Sequence, residues 1–284
     1  MKNLYIHCDG GFGNRFNSLI IGLLISKIGK FNPIISWPST NVCRATFHEI
    51  FENDYTLTSN RLEYYSNDLN NYEFVMHENQ LLWNTKVTSP YGFNKIFDLV
   101  SFLQKSDKEN IFYFNNLIPN YKDLNLSIIG DLKFKSFYYE IIDSFLEYEN
   151  YIGVHLRSTD FVQGDINFDE IFFQIKYSDK KYFVCSDSLE LENKFNQLKN
   201  VFTFPKTDYV EKINSSKEWR VLKGEIKDEM NKSLSFNVER SSDSVKQAII
   251  DLLILSRSDI MITSNSTFLN TALLLKMFNN QKTI

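Results

Sequence analysis

The chain has 284 residues, 43% of them hydrophobic and 23% charged, with a formal net charge of −4. This is the balance of a packed globular protein of one large or two ordinary domains, and it argues against a general nucleic-acid coat, which would be strongly basic. Cys8, Cys43 and Cys185 are odd in number and in neither metal-ligand nor paired-redox spacing. They read as reduced apolar residues, so a cytoplasmic protein is expected, and with no apolar run longer than residues 19–25 no integral membrane segment is expected.

Residues 4–8 suit a strand, Asp9 to Asn14 form a glycine turn, and Phe16, Leu19, Ile20, Leu23, Leu24 and Ile28 recur at the helical period. Together they predict a strand–turn–helix unit with an amphipathic helix over 15–27. Residues 33–37 read as a second strand. From 41 to 132 the chain is rich in Asn, Tyr and Phe, has poor periodicity and predicts only short elements, on which no mechanism can be placed. Phe137, Ile141, Ile142, Phe145 and Leu146 mark a helix from about 136 that leads into an apolar strand beginning at Tyr151. Strands at 182–186, 201–204 and 260–263 then alternate with helices at 189–198, 244–257 and 267–277. That order predicts parallel pairing with crossovers. Residues 206–240, polar, mixed in charge and with Trp219 as an isolated aromatic, predict a mobile loop. The whole is an α/β chain, divided into an N-terminal domain over 1–135 and a C-terminal Rossmann-like domain over 136–284.

Gly10, Gly11 and Gly13 let the backbone turn tightly and approach a ligand, while the helix that follows offers unpaired N–H groups to an anion. A dinucleotide site would need a third glycine where Phe16 stands, and an acidic residue near the end of the next strand. No Asp or Glu occurs from Gly11 to His48, which disfavours an NAD-type oxidoreductase. The alternative is that the turn serves only to join strand to helix.

The strand from Tyr151 delivers His155, Arg157 and Asp160 at its carboxyl end, where an open α/β sheet binds its ligands. Arg157 is a candidate anion clamp; the simpler alternative is an ion pair with Asp160. Ser186 and Asp187 end a second strand, and the run Ser264, Asn265, Ser266, Thr267 precedes the last helix. That run serves as a helix cap, as a phosphate cradle, or as both, since the two uses share the same groups.

The segments 154–160, 179–187 and 251–268 resemble, in order and spacing, the three C-terminal motifs of the GDP-fucose-dependent fucosyltransferase superfamily. They are most similar to the α-1,6-fucosyltransferases of nodulation type, with the α-1,2- and protein O-fucosyltransferases further away. The turn at 10–14 resembles the N-terminal glycine motif of those families. The resemblance covers about residues 3–30 and 150–277. It implies a GT-B-like fold of two Rossmann-like domains facing a cleft, with the N-terminal one on the acceptor side, and an enzyme that moves fucose from GDP-fucose to a hydroxyl of a glycan.

By position it implies that His155 and Arg157 contact the β-phosphate, with Ser266, Thr267 and the adjoining N–H groups opposite. Ser264 and Phe268 belong to the same turn, Asp251 takes the guanine edge, and Ser186 with Asp187 lies near the nucleoside. Asn14 approaches the pyrophosphate with Gly11 and Gly13 beneath it. The family's acidic residue after the Arg motif falls on Asp165, one methylene shorter than the usual Glu. A second departure is Ser158 where the α-1,6 and α-1,2 families carry a second arginine, which leaves the acceptor linkage open.

Departure of GDP builds negative charge on the diphosphate, to be met by Arg157 and the 264–267 turn. With no Asp-x-Asp pair in a matching position, no metal and no cofactor besides the donor are expected. An acceptor hydroxyl needs a carboxylate to take its proton, with Asp165 first in line and Asp160 and Asp9 behind it. Inversion by a single displacement is the expected outcome. Transfer of another sugar on the same scaffold, and a non-catalytic sugar-nucleotide or glycan-binding module, are the alternatives.

Overall fold

The computed structural model describes residues 1–60, 71–76, 87–88, 93–115, 118–120, 122–148, 150–159, 167–222, 224–228, 231, 233–264 and 266–281. The chain forms two compact units, Met1–Ser39 with Thr46–Lys133 and Thr40–Ala45 with Phe134–Ile284.

In the first unit, β1 (Asn3–His7) leads through the glycine turn into α1 (Phe12–Gly29). The helix starts three residues earlier than the period suggests. Gly10 takes φ +81° and Gly11 stays extended, so the reversal is finished before Phe12. It ends at Lys30 in the left-handed region, φ 55°. The unit continues through β2 (Asn32–Ser36), α2 (Phe47–Ile50), β3 (Thr56–Thr58), β4 (Tyr72–Met76), β5 (Val87–Thr88), α3 (Ile96–Lys105) and β6 (Asn110–Phe114). A 3₁₀ turn, Leu126–Asp131, follows.

The strands lie in the order β3-β2-β1-β6-β4-β5, every pair parallel. The region between 41 and 132 thus completes this sheet, and its strands escape the sequence pattern because they are too short, at two to five residues, to show an alternation. α1 is not amphipathic as expected. Phe16, Leu19, Ile20, Ile21 and Ile25 are wholly buried, because α3 and the 3₁₀ turn cover the helix beside the sheet. Gly22 sets how closely it lies on β1, since a Cβ there would stand 2.5 Å from Ile6 Cγ2.

The second unit contains α4 (Ser136–Phe145), β7 (Ile152–Leu156), α5 (Phe168–Lys176), β8 (Tyr182–Ser186), α6 (Leu189–Phe195), β9 (Val201–Phe202), α7 (Ser242–Ser256), β10 (Asp259–Met261) and α8 (Thr267–Gln281). Its sheet runs β10-β7-β8-β9, all parallel. The chain steps outward from β7 to β9, then returns through α7 to lay β10 on the other side of β7. The order therefore reverses between β7 and β10, the place where open α/β sheets leave a crevice at their carboxyl edge.

Val154, Leu156, Tyr182 and Val184 pack with Ile175, Leu191 and Phe195 on one face of this sheet. On the other, Gly153 admits the end of α7 and the turn after it, where a Cβ would fall 2.8 Å from Leu255 Cδ2 and 2.2 Å from Ser258 Oγ. α5 was not expected, although Phe168, Ile171, Phe172 and Ile175 carry the helical spacing and Asn167 caps it by accepting from Glu170 N–H. Residues 206–240 fold back on themselves through antiparallel bridges at Glu211–Glu239, Arg220–Phe236 and Lys227–Ser233. The segment Thr40–Ala45 joins this arm: Asn41 Nδ2 donates to Val238 O at 2.9 Å, and Arg44 Nε to Glu239 Oε1 at 2.7 Å.

Candidate functional site

At the carboxyl edge of the second sheet, His155 is 6% exposed, its ring 4.8 Å from Phe268 at the start of α8. Burial, then the charges of Arg157 and Lys206, push its pKa down to about 3, so the imidazole is neutral at physiological pH. Its Nδ1 has no partner among the described residues. Thr263 Oγ1 donates to His155 O at 2.5 Å, tying the exit of β10 to that of β7.

The half-buried Arg157 follows β7 and begins a turn that Asp187 clamps. Asp187 Oδ1 accepts from Ser158 N–H at 2.9 Å and Oδ2 from the Thr159 hydroxyl at 2.5 Å. Ser186, placed near a nucleoside by the resemblance, uses its hydroxyl within the fold instead, donating to Leu156 O at 2.5 Å and accepting from Ser188 N–H at 3.1 Å. Both residues therefore shape the platform that carries Arg157.

Beyond β10, Ser266 Oγ accepts from Leu269 N–H at 3.2 Å, which is the capping role foreseen for this run. Thr267 and Phe268 open the first turn of α8, whose N–H groups and dipole favour an anion. Ser264 Oγ is buried with no partner among the described residues.

Asp251 on α7 is 3% exposed. Lys206, which no sequence motif singles out, donates to Asp251 Oδ2 at 2.7 Å and to Ser186 O at 2.6 Å, and pairs with Glu192 Oε1 at 2.5 Å. Glu192 Oε1 also accepts from Ser186 N–H, and its Oε2 from the Tyr209 hydroxyl. One cation thus serves two buried carboxylates. Burial first, with Glu192 adding and Lys206 opposing, pushes the Asp251 pKa up to about 7. Asp251 Oδ1 is the third buried atom of this region with no partner among the described residues. Buried polar atoms are normally hydrogen-bonded, so three unpartnered ones on motif residues of one sheet edge form a set that a polar ligand would satisfy.

A hollow of about 730 Å³ adjoins the clamped turn, lined by Ser158, Thr159, Phe168, Asp169, Lys194 and Trp219 among others. Asp160 and Asp165 lie outside the described residues.

Asn14, Gly11 and Gly13 sit in the first unit, at the carboxyl edge of its own sheet. A Cβ on Gly10 would approach Asn14 Nδ2 to 2.9 Å. The turn is organised by Arg15, fully buried, whose Nε donates to Gly10 O at 2.8 Å and whose guanidinium lies 5.1 Å from the centre of the Trp37 ring. Asp9 Oδ1 accepts from Gly10 N–H at 2.7 Å. Nothing in the sequence pattern distinguished Arg15 from an ordinary first-turn cation.

Among the described residues no group of three or more His, Cys, Asp or Glu side chains could hold a metal ion, and no helix is long and apolar enough to cross a membrane.

No family model matches the sequence, and no curated protein matches it. Two parallel-sheet α/β units place the fold in the GT-B-like class. Within that class the structure is similar to NodZ α-1,6-fucosyltransferase co-crystallized with GDP, with a TM-score of 0.57 and 16% identity over 96% of this chain and 92% of that one. It is also similar to fucosyltransferase NodZ from Bradyrhizobium, with a TM-score of 0.55 and 17% identity over 96% of this chain and 92% of that one. A mutant of Arabidopsis thaliana FUT1 in complex with GDP gives a TM-score of 0.54 and 9% identity over 96% of this chain and 68% of that one. At these identities the likeness establishes the fold.

Proposed function

We propose that the chain is a glycosyltransferase that binds GDP-fucose at the carboxyl edge of its second sheet and moves fucose to a hydroxyl of a glycan. The observation that carries this reading is the coincidence, on motif residues at or beside the carboxyl edge of the second sheet, of Arg157 with three buried polar atoms unpartnered among the described residues: His155 Nδ1, Asp251 Oδ1 and Ser264 Oγ. The likeness of the fold to structures holding GDP supports the same choice of ligand.

The leaving diphosphate gains negative charge as the glycosidic bond breaks. Arg157 meets it with a fixed cation, and the first turn of α8 with oriented N–H groups; both are in place before reaction and need no metal. His155, neutral, contributes a hydrogen bond and not a charge. Asp251 Oδ1 accepts from the guanine edge, whose N1–H and amino group are donors. Asp165, or Asp160 behind it, takes the proton from the acceptor hydroxyl as that oxygen attacks the anomeric carbon from the face opposite GDP, inverting its configuration.

The test is calorimetric titration with GDP, GDP-fucose, GDP-mannose, UDP-glucose and NAD, with and without Mg²⁺, alongside Arg157→Ala. Metal-independent binding selective for GDP and GDP-fucose, lost in the variant, is the expected result. Indifference to the base or to Arg157 would refute the site. Binding without slow release of GDP from GDP-fucose would make the chain a binding module.

A further inference from the structure

The buried ionic cluster beside the sheet edge does more than fill space. Lys206 is 4% exposed at its side chain, as is Asp251, and it comes from the segment after β9, 45 residues away from Asp251. Several contacts hold it there. Gln247 on α7 accepts from Thr207 N–H at 2.8 Å and donates to Thr207 Oγ1 at 2.8 Å, Asp208 bonds Ser241, and the ammonium lies 5.0 Å from the Tyr209 ring. The ammonium covers Oδ2 of Asp251 and leaves Oδ1 as the oxygen without a partner among the described residues.

We propose that Lys206 is the specificity-determining residue for the nucleobase, acting through Asp251: it favours the ionised form of that carboxyl and fixes Oδ2, so that Oδ1 is an acceptor and selects a base edge that donates. This rests on the GDP reading above and assigns the choice of guanine over adenine to a residue outside the motifs. An ionised oxygen accepts from guanine N1–H, whereas it repels the lone pair of adenine N1. A protonated carboxyl reverses the preference, because it offers an O–H to adenine N1. The choice of base therefore depends on the charge of one buried group.

That charge is finely balanced. The titratable groups around Asp251 are Lys206, Glu192, Tyr209 and the Cys185 thiol. Burial, chiefly, holds the thiol and the phenol above their ordinary values, so both stay neutral. Burial also works to lower the Lys206 pKa, but Asp251 and Glu192 together hold it above that of an ordinary ammonium. With Asp251 ionised the cluster carries one positive and two negative charges, and the two neighbours act on Asp251 in opposite directions: Lys206 lowers its pKa and Glu192 raises it.

Two nearly isosteric variants therefore move the system in opposite senses. Affinities for GDP and ADP are measured calorimetrically from pH 5.5 to 9 on the whole chain, for wild type, Lys206→Met and Glu192→Gln, with far-UV circular dichroism confirming the fold. In wild type, GDP binds more tightly than ADP and its affinity rises with pH as Asp251 ionises. Lys206→Met moves that rise upward by about one pH unit or more and lowers the GDP-to-ADP preference at pH 7 at least about tenfold, whereas Glu192→Gln moves it downward. Lys206→Arg, which keeps the charge, retains the wild-type profile. Equal loss of GDP affinity at every pH in Lys206→Met would show a merely structural residue and overturn the proposal, as would shifts of the same sign in both variants. If Lys206→Met does not fold, Glu192→Gln alone decides, since an unmoved profile there refutes the balance. Failure of wild type to bind GDP at all is a different result, which removes the underlying reading.

Discussion

Replacing Asp187 tests how the platform under Arg157 is built. Its carboxylate accepts from Ser158 N–H at 2.9 Å and from the Thr159 hydroxyl at 2.5 Å, and Thr159 is 8% exposed. A hydrogen bond to a charged group contributes roughly 1.5–3 kcal/mol, and a buried donor left without a partner forfeits its hydration. Asp187 itself is half-buried, so water replaces part of what Asp187→Ala removes. The lower end of the range for two bonds, about 3 kcal/mol, is the expected loss. Asp187→Asn keeps an acceptor for Ser158 N–H and turns its amide toward Thr159, whose hydroxyl can accept, so about 1 kcal/mol is expected. Urea unfolding at pH 7.5 measures both, and calorimetry measures GDP, whose affinity should fall at least about tenfold in the Ala variant as the Arg157 turn loosens. A loss below about 0.5 kcal/mol for Asp187→Ala, or an Asn variant as impaired as Ala, would refute the hydrogen-bond clamp.

Two further outcomes follow from the geometry. Gly22→Ala sets a methyl 2.5 Å from Ile6 Cγ2 and should lower stability by about 1–3 kcal/mol, seen as a reduced thermal midpoint, unless α1 can slide away from β1 without loss. His155 has its pKa lowered in the folded chain from 6.5 to about 3, so between those values the unfolded chain binds the extra proton and stability falls as pH falls. His155→Gln should flatten the decline in thermal midpoint between pH 6.5 and 4, and profiles parallel to wild type would show that the imidazole is not held neutral.

The second sheet was legible because its strands end in polar residues that the helical segments then cap. β8 was placed residue for residue, and α7 and β10 within two. The first sheet was legible only in β1, α1 and β2. The strands β3 to β6 are two to five residues long, too short for alternation to announce them. α5 was overlooked despite its apolar spacing. The 206–240 arm read as a loop because its polar composition reports surface position and not pairing. In the site, Arg157, His155 and the α8 cap could be read from strand ends and capping residues. Glu192, Lys206 and Tyr209 could not, because what makes them functional candidates is burial and a mutual geometry assembled from separate parts of the chain. Arg15 is the same case in the first unit.

The path of Thr40–Ala45 has a consequence for how the molecule comes into being. The chain passes from one unit to the other three times, at 39/40, 45/46 and 133/134. Arg44 and its partner Glu239 are 195 positions apart, so on the ribosome this six-residue stitch is made long before the residues that hold it. A fragment cut as residues 136–284 would lack the stitch and leave the 238–240 backbone without the partners supplied by Asn41 and Arg44. The second unit is therefore completed last, and by a piece of chain made early.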